Sequence, residues 1–333
     1  MRHKVKKGIK YFFLVIIVII IGMLSYIKLG LPNVGDPENF KVELSPERIE
    51  RGRYLANSVA VCMDCHSTRD WNKFSGPIVE GTLGQGGQEF NQTIGLPGKF
   101  YSRNITPFGL KSWTDGEILR AISSGVNKDG KALFPLMPHP NYGKLDREDL
   151  YSIIAYVRTL ESIENVVPES EPDFPMNFII NTIPQKAQFS KAPNPGNMVA
   201  YGAYLFTAAS CNNCHTKEDK GKPIPGMELA GGFEFPLPTG GIVRTANISS
   251  DVETGIGNWS EEFFLSRFNT YADSSFQITD IKKDDFNTVM PWLLYSTMKQ
   301  EDLKAIYAYL RTVKPVKNKV VKFDAISLLS GKN

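Results

Sequence analysis

Cysteine is scarce in this 333-residue chain: there are four, all within two pentapeptides, Cys62-Met63-Asp64-Cys65-His66 and Cys211-Asn212-Asn213-Cys214-His215. None is left for a disulfide framework or a free reactive thiol. Histidine is equally rare, at four, and only His3 and His139 lie outside those pentapeptides. The G-x-G-x-x-G and P-loop spacings are absent, so Gly86-Gly87 and Gly231-Gly232 read as loops rather than phosphate cradles. A net positive balance is missing from most of the chain. Residues 1–28 hold six Lys/Arg and no acid, leaving 32 basic against 35 acidic residues beyond them. That balance gives a nucleic-acid partner no electrostatic support.

What is present is C-x-x-C-H, twice. Two cysteines three residues apart on one turn can each form a thioether to one vinyl group of a porphyrin. The histidine that follows then lies beneath the iron as its proximal ligand. A four-cysteine zinc site or a thioredoxin-like redox pair is the plainer alternative. Zinc-ribbon pairs usually stand roughly 15–20 residues apart, whereas 145 residues separate Cys65 from Cys211. Zinc also gives no reason for a histidine after each pair. The pattern therefore predicts two covalently bound haem c groups, one on Cys62 and Cys65 with His66, the other on Cys211 and Cys214 with His215.

One long apolar run exists. After Arg2, Lys4, Lys6, Lys7 and Lys10, residues 11–27 are apolar and the run ends at Lys28. Seventeen residues at about 1.5 Å each reach about 26 Å, near the lower limit for spanning a bilayer. No small-residue cleavage pattern follows, so the segment reads as an uncleaved signal-anchor. The basic flank puts the N-terminus in the cytoplasm. The expected location is the cytoplasmic membrane, single-pass, with the haem domains in the periplasm, where c-type haem is attached.

The remainder repeats itself. Residues 1–28 are the cytoplasmic stub and signal-anchor, 29–45 a tether, 46–160 a first domain, 161–197 a linker, 198–315 a second domain, and 316–333 a basic C-terminal tail. Each domain opens with a short helix before its cysteine motif, Arg51-Gly52-Arg53-Tyr54-Leu55 matched by Tyr201-Gly202-Ala203-Tyr204-Leu205. A glycine there suits close contact between a first and a last helix. Next come the glycine loops and the triplets Asn104-Ile105-Thr106 and Asn247-Ile248-Ser249. Asn104 and Asn247 are expected in the haem environment, bonding a propionate or a nearby backbone group, or serving simply as turn formers. Trp113 and Trp259 follow, each at a helix start, with a capping box at Thr114–Glu117 and an N-cap at Ser260. The closing helices carry apolar residues at 150, 153, 154, 157 and 160, and again at 303, 306, 307, 310 and 313. That spacing predicts an amphipathic helix with one buried face in each domain. The fold class expected is mainly α: two tandem cytochrome c domains after an N-terminal transmembrane helix.

An electron carrier closes the sixth position of its iron, in cytochromes c usually with a methionine, whose thioether sulfur raises the potential. Met137 lies 71 residues after His66 and Met290 lies 75 after His215; each is followed by proline and stands 19 residues before the tyrosine of its closing helix. A methionine more often fills a core gap, but the matched positions assign Met137 and Met290 as the distal ligands. His139 has no equivalent in the second repeat and is expected at the surface near a haem edge.

With these residues in hand, the chain resembles the cytochrome c subunits of bacterial membrane-bound dehydrogenases for gluconate, alcohol and aldehyde. The resemblance covers most of residues 45–315. It rests on the two C-x-x-C-H sites, Asn104-Ile105-Thr106-Pro107, Asn247-Ile248-Ser249, and Thr254-Gly255-Ile256-Gly257-Asn258-Trp259-Ser260. Met290-Pro291-Trp292 with Tyr295, the Ala-Tyr-x-Arg-Thr closing helices and Phe174-Pro175 add to it. It implies an electron relay outside the cytoplasmic membrane, not an enzyme. Its donor would be a membrane-bound dehydrogenase or quinol-oxidising complex, its acceptor an oxidase or another cytochrome. Such subunits commonly carry three haems, whereas this chain has two motifs. The competing function is a dihaem enzyme, a peroxidase or thiosulfate-oxidising cytochrome. A peroxidase needs an iron whose sixth position opens and a thiosulfate site a cysteine ligand, and no cysteine is spare.

Overall fold

The computed structural model of the chain describes residues 2–219 and 221–325; the last part of the expected tail, 326–333, lies outside the described residues. The structure is mostly helical. Its first helix, Arg2–Leu29, contains one stretch, Lys6–Leu29, that is long and apolar enough to cross a membrane.

An opening helix, Pro46–Tyr54, leads into the first cysteine motif, and Met198–Ala208 leads into the second. Ser45 caps the first by accepting from the Arg48 amide, and Asn197 caps the second from the Ala200 amide. The closing helices are Arg147–Arg158 and Gln300–Leu310. Leu150, Ile153, Ile154 and Val157 are buried on one, Leu303, Ile306 and Leu310 on the other. Leu160, Tyr307 and Val313 pack against the same core at its margin. Each fully buried aliphatic side chain contributes about 1.5–3 kcal/mol, so these faces hold the helices where propensity alone would not.

Opening and closing helices cross at glycine, as the sequence suggests. A Cβ on Gly52 would stand 1.8 Å from the Ser152 carbonyl oxygen, and one on Gly202 would stand 1.8 Å from that of Ala305. Nothing larger than hydrogen fits at either crossing. The expected helix starts at the tryptophans are also present. Thr114 and Glu117 form a reciprocal capping box on Asp115–Ser124, and Ser260 accepts from the Phe263 amide at the start of Glu261–Ala272.

Small antiparallel sheets depart from expectation. Glu89–Phe90 pairs with Gly98–Tyr101, which pairs with Glu171–Pro172 from the linker. In the second half, Glu234–Pro236 pairs with Ile242–Arg244, and Phe323–Asp324 from the tail completes the three. Strands of two to four residues are too short for alternation to announce them. The repeated elements therefore extend past residues 160 and 315. The basic tail, which has no evident purpose in sequence, supplies a strand edge.

The halves meet through reciprocal bonds. The Tyr54 hydroxyl of the first opening helix donates to Asp302 at 2.5 Å, and the Tyr204 hydroxyl of the second donates to Asp149 at 2.6 Å. Each of those hydroxyls also accepts a backbone amide from the start of the opposite closing helix, Lys299 and Asp146. Arg51 grips Asp149 with two bonds of 2.9 and 2.8 Å, so that carboxylate is paired as well as hydrogen-bonded.

Gly202→Ala tests the crossing. Forced separation of tightly packed helices costs about 1–3 kcal/mol or more, so its urea unfolding midpoint should fall clearly below the parent's. An unchanged midpoint would mean the contact is not tight.

Candidate functional site

Each cysteine motif is a single turn of helix, Cys62–His66 and Cys211–His215. The residue before each first cysteine is left-handed, Val61 at φ 44° and Ser210 at φ 54°. This conformation is costly for a β-branched valine, and it turns the chain sharply out of the opening helix. One residue earlier, the Ala60 carbonyl accepts from the buried Tyr142 hydroxyl at 3.1 Å, and that of Ala209 accepts from Tyr295 at 2.9 Å. These tyrosines pin the entry to both motifs. Met-Pro-x-x-x-Tyr occurs at 137–142 and 290–295, a repeated signal that could have marked Tyr142 beside Tyr295.

The histidines are set alike. His66 Nδ1 lies 2.6 Å from the Arg103 carbonyl oxygen, and His215 Nδ1 lies 2.7 Å from that of Ala246. A carbonyl only accepts, so each Nδ1 carries the proton and each Nε2 keeps its lone pair. Burial lowers both imidazole pKa values, outweighing that bond, and favours the neutral form that ligates metal. From the motif's other side the Gly86 and Gly231 amides donate to the His66 and His215 carbonyls, both at 2.8 Å. A Cβ at either glycine would strike the strand-end backbone at Arg103 or Ala246, within 2.4 and 2.5 Å. The glycine loops are clasps on the histidines.

Asn104 and Asn247 sit next to the accepting carbonyls, buried. Asn104 Nδ2 donates to the Ile163 and Asn165 carbonyls at 2.9 and 3.2 Å, while its Oδ1 accepts from the Thr106 amide and hydroxyl. Asn247 Nδ2 donates to the Val316 and Asn318 carbonyls at 2.8 and 3.3 Å, and its Oδ1 accepts from the Ser249 amide. Both side chains thus bond the backbone, each also bracing its own turn through the amide two residues on. They tie the turn bearing the histidine's acceptor to the chain beyond the closing helix. Trp113 and Trp259 are half-buried and pack against the core. Arg158 donates to the Trp113 carbonyl at 2.5 Å, and Tyr307 to the Trp259 carbonyl at 2.7 Å. Met137 and Met290 also pack against the core, each with its carbonyl accepting from the amide two residues on, His139 and Trp292.

His139 departs from expectation. It is 2% exposed, not on the surface. A Cβ on Gly125 would stand 2.5 Å from its ring, so the imidazole fills the space that glycine leaves. Burial lowers its pKa to about 4, against the opposing backbone contact at Leu133, and keeps it neutral.

Burial likewise pushes the Cys62, Cys65 and Cys211 thiols up to about 12 and Cys214 up to about 11. Asp64 raises Cys65 further, Cys62 and Cys214 do so more weakly, and Arg69 opposes them. Asn141, four residues after Met137, donates to Ser210, Asn212 and Asn213 at the second motif at 3.1–3.2 Å. Among the described residues no three His, Cys, Asp or Glu side chains converge as a metal site. A neutral imidazole with a free Nε2 and two protonated thiols on one turn fit a covalently attached porphyrin.

Residues 199–314 match the Cytochrome c family. The second half is a cytochrome c domain. Such a domain implies covalently bound haem c, and Cys211-Asn212-Asn213-Cys214-His215 lies within the matched segment. The chain resembles cytochrome c subunits of dehydrogenases. It is 28% identical over 286 residues to the cytochrome c subunit of a quinone alcohol dehydrogenase from Gluconacetobacter polyoxogenes, covering 80% of this chain and 56% of the relative. With the gluconate 2-dehydrogenase cytochrome c subunit of Pantoea cypripedii it shares 24% over 317 residues, 90% of this chain and 64% of the relative. A dihaem cytochrome c-type protein of Cereibacter sphaeroides is 23% identical, with 76% of this chain and 81% of the relative covered. The chain thus spans only a little over half the length of the dehydrogenase subunits it matches first.

Asn247→Ala tests the tether. Loosening the turn should weaken the bond that makes the His215 imidazole a better donor to ferric iron, raising the midpoint potential of that haem with attachment intact. Spectroelectrochemical titration checks this; a titration superimposable on the parent's would contradict it.

Proposed function

We propose that the chain is a membrane-anchored dihaem electron relay. Residues 46–160 are a first cytochrome c domain and 198–315 a second, each with one haem c. The observation that carries this is the duplicated histidine setting: in both halves Nδ1 is committed to a backbone carbonyl and Nε2 is left for iron. The first half falls outside the matched family segment, yet its motif, glycine clasp, asparagine tether and entry tyrosine stand in the same relations. Haem iron supplies reversible one-electron transfer. The protein's part is to fix the proximal imidazole, to hold the porphyrin edge through Cys62 and Cys65 or Cys211 and Cys214, and to seal the far side with Met137 or Met290 so that no substrate reaches the metal. A closed sixth position is what separates a carrier from a peroxidase.

Three further features support this function. The Lys6–Leu29 stretch anchors the chain in the cytoplasmic membrane, with the N-terminus inside and the haem body in the periplasm. Asn141 of the first half bonds residues at the second motif, which supports a short internal route for an electron between the two haems. The likeness to dehydrogenase subunits makes a membrane-bound dehydrogenase or quinol-oxidising complex the donor, and an oxidase or another cytochrome the acceptor.

Met290→Ala should keep its haem covalently attached but lose the thioether. Its far-red ferric charge-transfer band should weaken and one midpoint potential should drop well below the parent's. A reductive titration identical to the parent's would remove Met290 from the iron.

A further inference from the structure

The linker holds an apolar segment against the end of the anchor helix. The Lys28 ammonium donates to the Asn177 carbonyl at 3.2 Å and stands 5.3 Å from the centre of the Phe178 ring. Asn181 Nδ2 donates to the Ile27 carbonyl at 3.4 Å. Beside these bonds Phe174 is 81% exposed, Ile179 45% and Leu29 86%. Two large apolar side chains of a linker are thus fixed at the level where the apolar stretch ends.

We propose that residues 174–182 form a second membrane contact, a foot that inserts Phe174 and Ile179 at the headgroup–acyl boundary of a phospholipid bilayer. The occupant is lipid because the patch is continuous with the Lys6–Leu29 face, whose side chains are exposed all round. The lysine among these apolar groups suits the same boundary, with its stem in the apolar layer and its head among lipid phosphates. The foot is tied to the first motif. The Asp173 amide donates to the Pro97 carbonyl at 2.9 Å, and Glu171–Pro172 pairs with Gly98–Tyr101. That strand runs into Arg103, whose carbonyl holds His66 and whose guanidinium donates to the Pro168 carbonyl at 2.9 Å. The foot therefore sets the height and orientation of the first haem site over the membrane.

This inference rests on the anchor reading, and the test separates the two. Full-length haem-loaded protein is placed in nanodiscs of phosphatidylethanolamine and phosphatidylglycerol, with nitroxides at Phe174→Cys, Ile179→Cys, Ile19→Cys or Glu262→Cys. Collision with oxygen and with a water-soluble nickel chelate reports depth. The expected oxygen-to-nickel ratio at positions 174 and 179 is severalfold that at 262 and below that at 19. If 174 and 179 match 262 while 19 reads lipid, the foot is refuted and the anchor stands. If 19 also reads water, the anchor itself fails and the foot with it. No partner subunit is in the nanodisc, so a patch that only a partner subunit covers gives the first of these negative results.

Discussion

The hydrogen bond from each histidine Nδ1 to a backbone carbonyl is the constraint around which both halves are arranged. It selects the tautomer, aims Nε2 and raises the basicity of the ligand. A single hydrogen bond contributes only about 0.5–1.5 kcal/mol net, so it holds an imbalanced, buried ring in place only if its acceptor cannot move. The acceptor is held from both sides. Gly86 and Gly231 press the motif against the turn, and Asn104 and Asn247 tie that turn to chain that lies beyond the closing helix. Asn165 and Asn318 fasten the same region again, donating to the Gln85 and Ala230 carbonyls at 2.9 Å each.

The same economy shapes the join between halves. Tyr54 with Asp302 and Tyr204 with Asp149 are one contact used twice, across an approximate two-fold relation. Each carboxylate is buried or nearly so, and a buried carboxylate left without donors is costly. Both bonds form only when the halves dock in this one arrangement, in which Asn141 of the first half reaches the second cysteine motif. The relation is not perfect. Asp64 forms an ion pair with Arg69 at 2.6 Å, whereas Asn213 and Glu218 occupy the matching places in the second half. Two motifs with like histidine settings thus sit in different electrostatic surroundings.

Much of this was legible in the sequence because it depends on local chemistry. The capping box at Thr114, the cap at Ser260, the glycine at each helix crossing and the apolar stripes of the closing helices all follow from residue type and spacing. The features that were not legible are non-local. Glu171–Pro172 and Phe323–Asp324 become strands only because a neighbour offers an edge, and two residues carry no period. His139 is polar and follows a proline, which suggests a surface; its burial comes from the gap over Gly125, fourteen residues earlier in the chain. The backbone partners of Asn104 and Asn247 come from the course of the chain after the closing helices, which no local pattern announces.

Two covalent haem groups per chain are the centre of the account, and counting them is the most direct test. A pyridine haemochrome assay on purified full-length protein, set against protein concentration from amino-acid analysis, should return two haem c per polypeptide. One equivalent would contradict the duplicated site, and none would contradict the reading of both motifs.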